Sequence, residues 1–271
     1  MAVATLLPLV AAASNGAAAP LAICSAPAGP VVAVAAVPAP FELDLADGTR
    51  ARIAGIGLAA PGEGEAAAVS VLQALVAARP VRLDAAPPVI DRYGRRLAHV
   101  ALDDGSDLAE RLVAAGVALV GAAPRATADE PCRHRLLAAE ATAWRERRGL
   151  WADGTFRVED AADPLLATRA GRFALVQGRI VGLGKAGRTR YLNFGRRWSL
   201  DFTATIAESD GTWPRGWGIG PDALQGAHVR VRGWLESDDG GLVRLARPED
   251  LERIDADRHG DDRQRRGGEG E

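Results

Sequence analysis

The sequence predicts an α+β protein: two consecutive small β-barrels that carry helices. Two observations lead there. Short runs rich in Val, Ile, Leu and Phe alternate with Gly- and Asp-containing turns on both sides of a charged, Pro-containing connector at 154–171. Between some of these runs lie longer stretches whose apolar residues recur at helical spacing. With 271 residues and 48% hydrophobic content, the chain has material for two modest cores. Its 33 basic residues are offset by 35 acidic ones, so no global attraction to polyanions exists and any such contact must come from local clusters. No apolar run is long enough for a bilayer-spanning helix.

In chain order, Met1 to Ala13 is almost wholly apolar, with Leu6, Leu7, Leu9 and Val10 at its centre, and Ala17, Ala18 and Ala19 offer small residues to a processing peptidase. Residues 1–23 therefore read as a signal peptide of a secreted or periplasmic bacterial protein. No Lys or Arg precedes Arg50, and an Ala-rich disordered tail is the alternative. The first domain is expected over 24–153. Its two cysteines, Cys24 and Cys132, form an even number that can pair as a disulfide in an oxidising compartment. Neither has a second Cys or His at ligand spacing, which disfavours zinc.

Val31 to Val37 and Phe41 to Leu45 read as strands, and Asp47-Gly48 turns the chain into a third from Arg50 to Ile56. Pro61-Gly62-Glu63-Gly64 breaks the meander. Glu65 to Ala78 then places Val69, Leu72, Leu75 and Val76 at helical spacing. Strands follow at Val81 to Leu83 and Leu97 to Leu102, a short helix at Asp107 to Ala115 stops at Gly116, and a long one at Pro131 to Arg148 stops at Gly149. This order fits a five-stranded OB barrel carrying helices.

After the linker at 154–171, a second domain is expected over 172–256. Its strands are Phe173 to Val181, Thr189 to Phe194, Trp198 to Ile206, Val229 to Leu235 and Leu242 to Leu245, with a helical turn at Pro221 to Gln225. They suggest a second, smaller OB-like barrel. Residues 257–271 mix charge with Gly and read as a disordered tail.

The stretch Asp91-Arg92-Tyr93-Gly94-Arg95-Arg96-Leu97-Ala98-His99-Val100 feeds a Gly-containing turn into an apolar strand. Upstream lies Arg52-Ile53-Ala54-Gly55-Ile56, and downstream the long helix ends in Gly149-Leu150-Trp151. In that order the three segments resemble the staphylococcal nuclease (thermonuclease) family, over roughly Val31 to Asp153. The resemblance implies a phosphodiesterase in which Arg52 and Arg95 hold phosphate, a task suited to the planar fork of guanidinium. It also implies a calcium ion held by carboxylates and a glutamate base. Here the aligned positions carry Ala39 and Gly57 in place of the aspartates, and Gly62 in strict register with the base. Glu63 and Glu65 are the neighbouring candidates for that base.

The expectation is thus an exported, degenerate nuclease that binds DNA or RNA through Arg52 and Arg95 and needs no cofactor. The alternatives are an active secreted phosphodiesterase with Glu63 or Glu65 as base, Asp44 or Asp47 helping to hold calcium, and a structural envelope module. In the second unit, Arg188, Arg190, Arg196 and Arg197 surround Tyr191, Phe194 and Trp198, an interleaving that suits single-stranded nucleic acid; Arg188, Arg190 and Tyr191, with Tyr93, are the nucleic-acid candidates. Trp198, Leu200 and Phe202 share parity and should line the barrel interior. Arg230 and Arg232 share a face too. A solvated face balanced by Asp201, Glu208 and Glu236, or a module that packs on the first domain or on a protein partner, fits the same pattern. His99, His134, His228 and His259 are scattered, Ser70, Ser106 and Ser199 lack a nucleophile setting, and Gly182 to Gly187 lacks the spacing of a phosphate loop.

Overall fold

A computed structural model describes residues 29–84, 89–122, 130–152, 154–197, 199–208, 213, 217, 219–238 and 240–254. The expected signal peptide, the expected tail, Cys24 and Trp198 lie outside them, and the expected Cys24–Cys132 pairing therefore does as well. Cys132 itself is buried.

The first unit contains β1 (Val31–Val32), β2 (Val34–Ala36), β3 (Glu42–Leu45), β4 (Arg50–Ile53), β5 (Ile56–Gly57), α1 (Glu65–Val76), β6 (Val81–Leu83), β7 (Val89–Ile90), β8 (Arg96–Ala98), β9 (Val100–Leu102), α2 (Leu108–Ala114), β10 (Leu119–Val120) and α3 (Glu130–Arg145). Alternation sets the faces: Leu43 and Leu45 are buried while Glu42 and Asp44 are half-buried. Antiparallel pairing joins β2 to β3 and β3 to β4, and β4 runs parallel to β8. One residue separates β8 from β9, which pairs with β6, and β6 pairs with β1, whose chain continues into β2. The pairings thus return to the segment on which they began, as in an OB barrel. Helix α1 buries Ala68, Leu72 and Val76, spaced by four, in the barrel's core.

The second unit contains β11 (Val158–Asp160), β12 (Phe173–Arg179), β13 (Gly182–Ala186), β14 (Thr189–Asn193), β15 (Thr203–Ala207), β16 (His228–Ser237), β17 (Gly241–Leu245) and β18 (Leu251–Arg253). Its main path runs β12-β16-β17-β15-β14-β13, with β15 and β17 parallel. Only Ile180 and Val181 separate β12 from β13, so this path also begins and ends on one stretch of chain. Two expectations change. The stretch expected as a linker supplies β11, which pairs parallel with β12, and a helical turn at Leu166–Arg169. The strand expected from Trp198 begins at Thr203, because Leu200 and Asp201 donate their N–H groups to the Arg197 carbonyl and close a turn that leaves Leu200 exposed.

The two units meet along a closed seam. Ala59, Leu119, Ala143, Leu150 and Trp151 of the first pack with Phe156, Phe173 and Leu175 of the second, and the Phe173 N–H donates to the Ala59 carbonyl at 2.7 Å. The guanidinium of Arg232 donates to Glu140 Oε2 at 2.8 Å and to the Val120 carbonyl at 3.3 Å, while Glu140 Oε1 accepts from the Val120 N–H. Arg133 pairs with Asp250 and lies 3.6 Å from Glu249. Arg230 stacks 4.4 Å above the Trp144 ring. The arginine face of β16 is therefore spent on docking the first domain.

Candidate functional site

The site grows from two neighbouring strands and one turn of the first barrel. Glu42 on β3 and Arg52 on β4 stand opposite each other in register. Leu43 and Ile53 point into the core, so both charged side chains project outward. The parallel pairing of β4 with β8 brings the turn from Asp91 to Arg95 alongside. Asp91 Oδ1 accepts the Tyr93 N–H at 2.9 Å and the Arg95 N–H at 3.0 Å, and Gly94 turns the chain at φ 75°. Asp91 Oδ2 then accepts Arg95 Nε at 2.7 Å and lies 2.6 Å from Nη2.

Held from behind by Asp91, Arg95 presents Nη1 to Glu42 Oε1, and Arg52 Nη1 lies 3.5 Å from the same oxygen. The three side chains are mostly covered: Arg52 is 19% exposed, Arg95 15% and Glu42 13%. Burial and the neighbouring charge of Arg95 pull the Arg52 guanidinium below the usual arginine range. For Arg95 burial acts the same way, but its bonds to Asp91 and Glu42 outweigh it and raise the group. Burial would raise the Asp91 carboxyl, yet the hydrogen bonds from Arg95 and Tyr93 bring it down to about 2. The exposed Tyr93 ring has Arg92 and Arg95 guanidinium groups 4.7 and 4.8 Å from its centroid. Arg50 donates to the Tyr93 carbonyl at 3.5 Å.

Of the residues singled out in the sequence, Arg52, Arg95 and Tyr93 come together here. Glu63 pairs with Arg172 at 2.8 Å across the seam, and Glu65 accepts the Gly62 N–H at 2.9 Å at the start of α1. Asp47 accepts the Thr49 N–H in its own turn, and Asp44 lies 3.8 Å from Arg50. In the second unit, Arg190 donates to Glu208 Oε1 at 2.7 Å, Lys185 lies 2.8 Å from Oε2, and Arg188 donates to the Glu208 carbonyl. Bonds from Lys185 and Arg190 hold that buried carboxyl below its ordinary range. Tyr191, one residue out of phase with Arg190, lies on the other face of β14, opposite Gly184 and Thr205.

The residue missed in the sequence is Glu42. Its signal was there, since an acidic residue out of phase with Leu43 and Leu45, paired with the strand of Arg52, must share that arginine's face. The Ala39 carbonyl accepts the Glu42 N–H at the turn into β3, and Gly57 is buried in β5 opposite Leu119. Among the described residues, no three His, Cys, Asp or Glu side chains gather as a metal-binding set, and no helix is long and apolar enough to cross a membrane.

No curated protein matches the chain. Residues 64–153, which include Arg95 and follow Arg52, match the family described as Staphylococcal nuclease homologue. The chain therefore carries a staphylococcal-nuclease-like domain, whose fold is the OB barrel traced above.

Proposed function

We propose that the first barrel binds a phosphate group of nucleic acid between Arg52 and Arg95 and does not hydrolyse it. The family match carries a nuclease-like or nucleic-acid-binding function, and the finer reading rests on the site. One observation supports the binding half: both guanidinium groups reach a single carboxylate oxygen, Glu42 Oε1. A phosphate oxygen at that point accepts from both, and Arg is suited to it because the charge cannot be lost at ordinary pH. The exposed Tyr93 ring beside them offers a stacking surface for a base.

Hydrolysis asks for more. A metal ion would polarise the phosphoryl oxygen and supply a nucleophilic water, and a carboxylate would take the proton. Calcium takes six or more oxygen ligands, carboxylates among them. Ala39 and Gly57 stand at the positions the family resemblance gives to those carboxylates, and Glu42 and Asp91 are already bound to arginine. These residues do not fit calcium. Glu63 and Glu65, the candidates for a base, are engaged with Arg172 and the Gly62 N–H.

The test is fluorescence anisotropy of a labelled single-stranded oligonucleotide, followed by gel analysis of the same samples with calcium and with a chelator. The expected result is binding that weakens as salt rises, a loss of about 10- to 100-fold for Arg95→Ala, and intact oligonucleotide in both lanes. Cleavage that the chelator abolishes overturns the disarmed half. Binding indifferent to salt and to Arg95→Ala overturns the other.

A further inference from the structure

We infer that Arg50 is a further binding residue: it takes the phosphate next to the one held by Arg52 and Arg95, so the ligand is a single strand that lays two consecutive phosphates along β4. The inference rests on the phosphate reading above and adds a direction and a minimum length to it. Burial alternates along β4, with Ala51 and Ile53 in the core and Arg50 and Arg52 on the outer face. Two positions along a strand separate them by roughly 6 to 7 Å. An extended single strand can match that separation with one nucleotide step. The Arg50 side chain also lies beside the site, because its Nη1 reaches the carbonyl of Tyr93, in the turn that carries Arg95.

Arg50 is held more loosely than several other arginines of this barrel. Arg79 lies against Asp103 and Asp104, Arg96 is bound by Asp84, and Arg92 sits over the Tyr93 ring. Among the described residues, Arg50 has the Tyr93 carbonyl at 3.5 Å and Asp44 at 3.8 Å, the second beyond hydrogen-bond reach. The Arg50 side chain is 55% exposed and that of Asp44 40%, so water screens their attraction and it adds little. A phosphate arriving from solution therefore meets a guanidinium with most of its N–H groups unclaimed by protein, and binding there breaks no bonded carboxylate contact. Each phosphate neutralised in this way releases counterions, so a second one shows in the salt dependence of binding.

The experiment titrates wild type and Arg50→Ala at low salt with two thymidine oligonucleotides that lack terminal phosphates, a dimer with one internucleotide phosphate and a trimer with two. Wild type should bind the trimer about tenfold more tightly than the dimer. Arg50→Ala should bring that ratio to about two, the statistical value for two phosphates offered to one site, and leave the dimer within about twofold of wild type. It should also lower the salt slope of a longer oligothymidylate by about 0.7. Arg50→Gln, which keeps most of the side chain without its charge, makes the same test if the alanine variant fails to fold. A wild-type ratio near two, or a ratio or slope that neither substitution changes, overturns the inference. So does an equal loss on dimer and trimer, which makes Arg50 a brace for the Tyr93 turn. In each of these cases a loss of binding in Arg95→Ala leaves the phosphate site at Arg52 and Arg95 standing, whereas wild-type binding that does not depend on Arg95 removes both readings.

Discussion

At the scale of single residues, Asp91 fixes one of the two guanidinium groups and makes the turn depend on pH. Its carboxyl lies at about 2, below the roughly 3.9 of an unfolded chain. A depressed carboxyl adds stability that is complete above the unfolded value and is lost as pH falls through the folded one, so the window is about pH 4 down to about pH 2. Asp91→Asn should therefore lower the urea midpoint at pH 7, and the gap from wild type should close by about pH 2 in chemical melts across that range. The pair Arg52 and Arg95 was legible in the sequence because each sits in a recognisable local stretch. Glu42 was passed over: the alternation of its strand gave its face, but nothing local tells which arginines, 10 and 53 residues away, it meets there.

At the scale of elements, hydrophobic spacing located the helices to within a few residues. The helix expected from Glu65 to Ala78 is α1 (Glu65–Val76), and the long one expected to end at Arg148 is α3, ending at Arg145. Period-two alternation located the strands less well where it ran on through a turn, as at Trp198 to Phe202, because Asp201 accepts the Arg197 N–H and bends the chain there. The end of α3 shows what the spacing alone could not give. Gly116, after α2, has φ +74° and lies against the Arg148 carbonyl, whose oxygen would be 2.2 Å from an added Cβ. The Leu150 N–H donates to the Gly116 carbonyl at 2.9 Å, so the two chain segments touch through backbone. Gly116→Ala combines a left-handed backbone with a direct clash and should cost at least about 2 kcal/mol, read as a lowered thermal midpoint.

At the scale of the whole molecule, the seam makes the two units one mechanical and thermodynamic object. Arg232 and Glu140 lie 92 residues apart, and Arg133 and Asp250 lie 117 apart. The sequence showed Arg230 and Arg232 sharing a strand face and could not show that α3 covers it, because docking between distant segments leaves no local trace. Removing one member of a covered ion pair strands the other, so Glu140→Ala should cost about 3–5 kcal/mol, whereas replacing Glu140 and Arg232 together by Leu and Met should recover much of it. The same geometry predicts that a chain cut after residue 153 exposes Trp151, Leu150 and Arg133, and that it aggregates or melts far below the intact protein in calorimetry. Because the seam pairs Arg232–Glu140 and Arg133–Asp250 are more covered than Arg95 and Glu42, and the phosphate proposed for Arg52 and Arg95 arrives from solution, mobile ions screen those seam pairs less than the proposed site. A concentrated electrolyte wash should then elute a captured polyanion and leave the paired units folded, so the empty receptor can be recovered without refolding.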